Sequence, residues 1–397
     1  MQLRFDAVSE PSVAGAKWKH LFDAYWPGYK TWFLSQNTAL TPDLITSQEA
    51  LKKYMPKMWP TYVHLCEITN ADVDIARFLT GFQPPAYISA CAQVVINTDE
   101  IQLVRNYDYA AELLEGTLLL SKWNDLKVMG TSDCLIGLVD GINDSGLCVS
   151  LTFGGRKEVG YGFGIPFILR YVLEFCTTTK EAVKVLKSIP SHMSYNVTVV
   201  DKTGETKTVM LAPDKETKVS NIPFATNHQG TVDWPENAVF NQTVKRYNFI
   251  KNYLKSKDVK AEELAKAFLH PPLYNTKFRE GFGTLYTAVY HPEKLRMQLL
   301  WPNVKMVQSF DNFVEEQVTI YYEQSSVQTS PAISAPAQKA TADGAYNWQD
   351  AVVDSLVKSM AGKESKAKQK ELREKLMPNG IIAWEEIANF WNEPTSY

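Results

Sequence analysis

Cys91 heads a β-rich run, Ala92–Asn97, which Thr98-Asp99-Glu100 separates from a second, Ile101–Arg105. Two such runs around a short polar stretch read as a hairpin. The return strand continues as Val104-Arg105-Asn106-Tyr107-Asp108-Tyr109, so it carries an arginine and an aspartate back toward the cysteine. These residue types suit nucleophilic chemistry. A thiol needs a base to take its proton and a positive neighbour to favour thiolate. No histidine lies near in sequence; the six are His20, His64, His192, His228, His270 and His291. A free α-amino group, with a reference pKa of about 7.7–8.0, can do the work of the base at neutral pH. That route requires cleavage between Ala90 and Cys91.

Each residue alone has a plainer reading. A cysteine at a strand start is usually structural, and Cys66, Cys134, Cys148 and Cys176 are read that way. An arginine and an aspartate three residues apart are more often a weak surface pair. Asn143 reads as a turn residue, and Asn227 alone as a loop asparagine.

Other chemistries lack their signatures. There is no CxxC and no HExxH, and the histidines are scattered, so neither zinc nor any other metal or cofactor is expected. Neither GxGxxG nor GxxxxGKS is present, and no GxSxG elbow suggests an α/β-hydrolase. The 397 residues are 45% hydrophobic, 12% aromatic and 21% charged, with a net charge of −3. That composition excludes disorder as the whole story and gives no electrostatic case for nucleic acid or an anionic membrane. No run approaches the roughly 20 apolar residues of a membrane span, and the densest, Gly164–Cys176, contains Arg170. Five cysteines with no paired spacing argue against a disulfide framework. The opening MQLRFDAVSEPS lacks the apolar stretch of a signal peptide, so a cytoplasmic protein is expected.

The elements that must position these residues follow from periodicity. The first 90 residues read as helical, with Phe22, Tyr25, Trp26, Tyr29, Trp32 and Phe33 at helical spacing and Ser47–Tyr62 as a helix bent at Pro56. Leu135–Val139 and Leu147–Thr152 form a second hairpin around Gly141–Gly146. Gly164–Cys176 reads as a buried helix, and Thr178-Thr179-Lys180-Glu181 as a capping box opening the helix Lys180–Ser188. Asn196–Val200 and Thr206–Leu211 are strands, Gln242–Lys255 and Ala261–Leu269 helices, Thr284–Tyr290 and Leu295–Trp301 a third hairpin, and Val318–Tyr322 a last strand. Runs of antiparallel strands interrupted by helices indicate an α+β fold. Residues 325–345 read as a flexible linker. Residues 346–397 read as a helical appendage, with Trp348, Val352, Val353, Leu356 and Met360 on one face, a charge run at Lys363–Lys375 and an apolar Ile381–Trp391.

Cys91, the Arg105–Asp108 run, Gly141-Ile142-Asn143-Asp144-Ser145-Gly146-Leu147 and Thr226-Asn227-His228 stand in an order that resembles the N-terminal nucleophile (Ntn) amide hydrolases. The resembling branch holds the choloylglycine and penicillin V hydrolases and the acyl-CoA:6-aminopenicillanate acyltransferases. The acyltransferase side is the more similar, because a helical segment of comparable length precedes its cysteine. The resemblance spans roughly residues 45–305.

It implies a four-layer αββα sandwich of antiparallel sheets and a zymogen that cuts itself at Ala90–Cys91, dividing residues 1–90 from a core at 91–324. It implies Cys91 as nucleophile and base, Arg105 as the guanidinium near the thiol, and Asp108 as the carboxylate that orients the α-amine. It further implies Asn227 as the oxyanion-hole side chain and Arg246 as a second arginine tying the site together. The chain departs from the pattern at Thr152, where bile-salt hydrolases carry an asparagine; Thr152 is the substitute oxyanion or substrate contact. Ala90 and Ala92 flank the cysteine where acyltransferase relatives carry glycine and a hydroxyl residue. The expected activity is hydrolysis of a linear, non-peptide or N-acyl amide through an acyl-enzyme. Acyl transfer to an amine and a silent scaffold binding a partner through its C-terminal helices are the alternatives. The expected partner is a small amide, with a homo-oligomer left open.

Overall fold

The computed structural model describes residues 1–10, 12–35, 41–256, 259–278, 282–322 and 365–376. Its strands, in chain order, are β1 (Gln2–Glu10), β2 (Ala90–Asn97), β3 (Ile101–Tyr109), β4 (Thr117–Ser121), β5 (Val128–Asp133), β6 (Gly137–Asn143), β7 (Cys148–Phe153), β8 (Tyr195–Val200), β9 (Thr206–Leu211), β10 (Lys218–Ser220), β11 (Phe224–Ala225), β12 (Gly283–His291), β13 (Arg296–Trp301), β14 (Val304–Ser309) and β15 (Glu316–Tyr321). Its helices are α1 (Ala16–Ser35), α2 (Leu44–Tyr54), α3 (Trp59–Thr69), α4 (Val73–Leu79), α5 (Ile165–Phe175), α6 (Thr179–Ser188), α7 (Pro235–Phe240), α8 (Thr243–Tyr253), α9 (Ala261–Ala267) and α10 (Lys366–Leu376). A nine-stranded sheet runs β10-β9-β8-β7-β6-β5-β4-β1-β15, and a six-stranded sheet runs β11-β2-β3-β12-β13-β14. Pairing is antiparallel throughout the described strands except between β1 and β4.

Side chains alternate along a strand, so each sheet feeds two cores. On β4, Leu118 and Leu120 face one core and Leu119 the other. The first core joins that outer face of the nine-stranded sheet to α1–α6 through Trp18, Phe22, Leu51, Tyr62, Phe78 and Leu169. The second lies between the sheets, with Phe5, Leu103, Met129, Ile142, Cys148 and Tyr290. The third packs α8 and α9 on the six-stranded sheet through Val94, Val104, Ile250, Leu264 and Phe268. Burying one such aromatic or aliphatic side chain stabilises the fold by about 1.5–3 kcal/mol.

Helix starts follow their caps. Asp43 and Asp72 accept the Thr46 and Ile75 amides, both at 2.8 Å, at the heads of α2 and α4. At α6 the Thr178 hydroxyl accepts the Glu181 amide at 3.3 Å, while the Glu181 carboxylate reaches back to the Thr177 amide at 2.7 Å.

Two expectations need correction. The first 90 residues are not helical throughout, because Leu3, Phe5 and Ala7 alternate inward as β1. Leu135–Val139 is not one strand: Cys134 and Leu135 adopt left-handed φ of 55° and 65°, a turn between β5 and β6. Ser47–Tyr62 divides at Pro56 into α2 and α3. The linker and the runs Trp348–Met360 and Ile381–Trp391 lie outside the described residues. Within the charge run, α10 packs Leu372 against the first core.

Candidate active site

Alternation decides where the β2–β3 hairpin points its side chains. Cys91 and Val95 face the space between the sheets, whereas Ala92, Val94 and Ile96 face α8 and α9. Arg105, flanked by Leu103 and Tyr107, shares the Cys91 side; Asp108 lies on the other, toward α8. The arginine and the aspartate that stand three apart in sequence therefore serve opposite faces of one strand.

Arg105 Nη2 lies 3.1 Å from Cys91 Sγ. The rest of the guanidinium is anchored: Nε donates to the Leu151 carbonyl at 2.9 Å and Nη1 pairs with Asp140 Oδ2 at 2.5 Å. Asp140 also accepts the hydroxyls of Thr131, Tyr286 and Tyr290 at 2.8, 3.0 and 2.5 Å. Arg105 and Asp140 are fully buried. Burial opposes the Arg105 charge, but Cys91, Tyr286 and Asp140 outweigh it and hold the guanidinium above its ordinary range. At Cys91, burial pushes the thiol up and Arg105 pulls it down, with a net rise. The thiol of the intact chain is therefore neutral near pH 7.

The backbone amide of Cys91 donates to Asn227 Oδ1 at 3.1 Å, and Arg246 Nη2 donates to the same oxygen at 2.5 Å. Two donors converging on one atom require it to be the amide oxygen. The donor end, Nδ2, goes to the Phe153 carbonyl at 3.2 Å. In the intact chain Asn227 is thus an acceptor for the Ala90–Cys91 amide. Arg246 Nη1 continues to Asp108 Oδ2 at 3.0 Å, and the Thr284 hydroxyl donates to Oδ1 at 2.6 Å. Burial raises the Asp108 carboxyl against the pull of Arg246, and burial lowers Arg246.

One hydrogen-bonded chain therefore runs from Arg105 through Cys91, Asn227 and Arg246 to Asp108. Ala90 sits in register opposite Asp108. Thr152 stands outside this chain. Its hydroxyl donates to the Thr226 carbonyl at 2.8 Å and accepts from Asn196 Nδ2 at 3.1 Å, so it braces the segment that carries Asn227. Asn143 is the turn residue expected, accepting the Ser145 and Leu147 amides at 3.2 and 3.0 Å. Sequence reasoning missed Asp140, Thr284, Tyr286 and Tyr290. Asp140 had a signal: it is a lone charge inside the apolar run Leu138-Val139-Asp140-Gly141-Ile142.

Gly155 meets the same segment. Its φ is +71°, and a Cβ there would stand 2.3 Å from the Asn227 carbonyl oxygen. Gly155→Ala is expected to cost roughly 1–2 kcal/mol from the left-handed backbone alone. The clash, being with backbone, should also shift Asn227 and slow any chemistry at Cys91 beyond what lost stability explains. Thermal unfolding measured beside the rate of cleavage checks this; an unaltered rate in a destabilised variant would rule it out.

Among the described residues no group of three or more His, Cys, Asp or Glu side chains is placed to hold a metal ion. No described helix is long and apolar enough to cross a membrane.

The family model for acyl-coenzyme A:6-aminopenicillanic acid acyl-transferase matches residues 96–306. No curated protein sequence matches the chain. Among solved structures, a mutant conjugated bile acid hydrolase from Clostridium perfringens is similar at 14% identity and a TM-score of 0.40, covering 61% of this chain and 100% of its own. The Caenorhabditis elegans ortholog of N-acylethanolamine-hydrolyzing acid amidase has 17% identity and a TM-score of 0.39, covering 58% and 100%. Penicillin V acylase from Agrobacterium tumefaciens has 14% identity and a TM-score of 0.36, covering 57% and 90%.

Proposed function

The chain belongs to the acyl-coenzyme A:6-aminopenicillanic acid acyl-transferase family, and from that membership we propose that it is a self-processing Ntn cysteine hydrolase of linear amides. The observation that carries the proposal is the buried chain in which Arg105 meets the Cys91 thiol while Asn227 holds the Cys91 amide. The three cores support the four-layer αββα plan for it. Five unpaired cysteines suit a reducing compartment, in keeping with the cytoplasm.

In the first step Cys91 Sγ attacks the Ala90 carbonyl. A C–S bond forms, the Ala90–Cys91 C–N bond breaks, and the thiol proton passes to the departing nitrogen. Water then hydrolyses the thioester, releasing the Ala90 carboxyl and leaving a free Cys91 amine. That amine is the base missing from the intact chain, where the thiol is neutral and buried. In the mature enzyme it takes the thiol proton and returns it to the leaving amine of the substrate. Arg105 steadies the thiolate, and Asp108, through Arg246 and Asn227, orients the amine. The acyl-thioester is then resolved by water.

Intact-mass measurement of the purified protein tests the reading. Fragments 1–90 and 91–397 are expected, together with an acyl adduct on the second when substrate is trapped. A single uncut mass would sink it. Asp108→Asn should leave the protein folded, because the amide keeps the shape and the Thr284 contact, yet lower turnover by more than about tenfold through loss of a charge-assisted hydrogen bond. Steady-state kinetics decide; an unchanged kcat/KM would remove Asp108 from the site.

Acyl transfer to an amine is the second reading. Cys91 is wholly buried, and an enclosed thioester is shielded from water. Added amine acceptors should then divert product from acid to amide.

A further inference from the structure

Two carboxyl groups lie buried side by side apart from the Cys91 chain. Glu115 precedes β4 and Asp133 ends β5, and the Tyr29 hydroxyl of α1 bridges them at 2.6 Å to Glu115 Oε1 and 3.2 Å to Asp133 Oδ1. The Cys134 amide donates to Asp133 Oδ1 at 2.8 Å and to the Tyr29 oxygen at 2.9 Å. The Leu135 amide donates to Glu115 Oε1 at 2.8 Å. One turn earlier on α1, the Tyr25 hydroxyl donates to the Glu115 carbonyl at 2.8 Å.

The proton count does not close if both carboxyls are ionised. A phenol has one proton to give. Tyr29 spends it on Glu115, the shorter contact, so its approach to Asp133 sets two acceptors against each other. The contact becomes a hydrogen bond when Asp133 carries a proton and donates to the Tyr29 oxygen. Burial first, and then the Glu115 charge, push the Asp133 carboxyl up to about 7, and burial raises Glu115 too.

The surrounding groups do not offset this. Phenols face the cluster from four sides, Tyr25 and Tyr29 on α1, Tyr87 before β2, Tyr107 on β3 and Tyr195 on β8, all raised and so uncharged near neutral pH. The Cys134 thiol is raised as well. Arg4 and Asp6 of β1, which act on Tyr25, pair with each other at 2.8 Å. Arg170 on α5 acts on Glu115, but its Nη1 is bonded to Glu174 at 2.9 Å.

We propose that Glu115, Asp133 and Tyr29 form a proton-held clasp that fastens α1 to the β5–β6 turn and loosens it when the shared proton is lost. The clasp bears on a narrow apolar hollow, because Trp32 and Phe33 of α1 and Cys134 of the turn line it together with Tyr87. α1 precedes Cys91, so the clasp also spans the two fragments of the proposed cleavage, yet it needs no cleavage to act. The sign follows from proton uptake. Between an unfolded value of about 3.9 and the raised folded value, the folded state binds more protons than the unfolded one. The clasp's contribution is therefore present at acid pH and is lost as pH rises through the folded value.

Asp133→Asn in the full chain tests this. The amide cannot ionise, and because one atom, Oδ1, meets both the Cys134 N–H and the Tyr29 oxygen, its own contacts set an offset that does not vary with pH. The difference in thermal midpoint between variant and natural sequence should move in the variant's favour by several degrees from pH 5 to pH 8, because the natural sequence loses stability throughout the window between the unfolded and folded values. A midpoint difference that is the same at both pH values overturns the proposal, and should the variant fail to fold, the exchange measurement on the natural sequence decides. In the natural sequence, hydrogen-exchange protection of α1, corrected for intrinsic rates, should fall between pH 5 and 8; constant protection overturns it independently. Neither readout involves Cys91, so failure here leaves the proposed activity standing, and the reverse also holds.

Discussion

Cys91→Ala should yield one uncut chain where the proposed cleavage gives two fragments for the natural sequence. The Arg105 guanidinium faces the thiol proposed as nucleophile, and Asn227 holds the Ala90–Cys91 amide. The alanine fits the same buried position between the sheets, so the hairpin should form and only the attacking atom should be missing. What remains is uncatalysed peptide hydrolysis, slower by a factor of roughly 10⁶ or more. A denaturing gel and intact mass read the outcome directly. Cleavage of the alanine variant at the same bond would show that the thiol is not the agent.

Asp140→Ala is expected to have the largest effect on stability. It strips the carboxylate from a fully buried Arg105 and leaves the Thr131, Tyr286 and Tyr290 hydroxyls without their acceptor. Removing one partner of a buried pair costs about 3–5 kcal/mol, because the other charge stays buried and uncompensated. At about 1–2 °C per kcal/mol for a fold of more than 300 residues, the midpoint should drop by roughly five degrees or more. Any folded protein should also cleave slowly, since Nη1 then keeps only the long 3.2 Å contact to the Tyr286 hydroxyl and the fork is held less firmly against the thiol. A variant with the natural midpoint and the natural rate of cleavage would remove Asp140 from the site's support.

Local signals in the sequence carried well. The β2–β3 hairpin, the α6 cap and the β7 strand are written in neighbouring residues, and all three form as their patterns indicate. The five site residues other than Ala90 and Thr152 are brought together in one hydrogen-bonded chain, although their separation in sequence gives no hint that Arg246 bridges Asn227 and Asp108. β4 escaped notice because Leu118-Leu119-Leu120 is buried on both faces and so shows no alternation. β1 escaped because its partners are remote, and the aromatic periodicity of α1 dominates the segment that follows. Asn227 illustrates a finer limit. A sequence shows an amide but not which end faces the cysteine, and only the two converging donors decide it.

β1 has a consequence for timing during synthesis. It lies inside the nine-stranded sheet between β4 and β15, with Met1 bonded to Tyr322 across 321 positions of chain. β1, made before the other described strands, can be paired on both sides only after β15 has left the ribosome. At about 5–20 residues per second, that interval is roughly 15–60 s. Closure over such a separation is slow in its own right, because the entropy of the loop is spent before the pairing rewards it. Asn227, Arg246 and Thr284 also emerge long after Cys91. A growing chain thus carries its thiol without the groups that surround it in the fold, so the proposed cleavage is expected only once the sheet that would hold both fragments has closed.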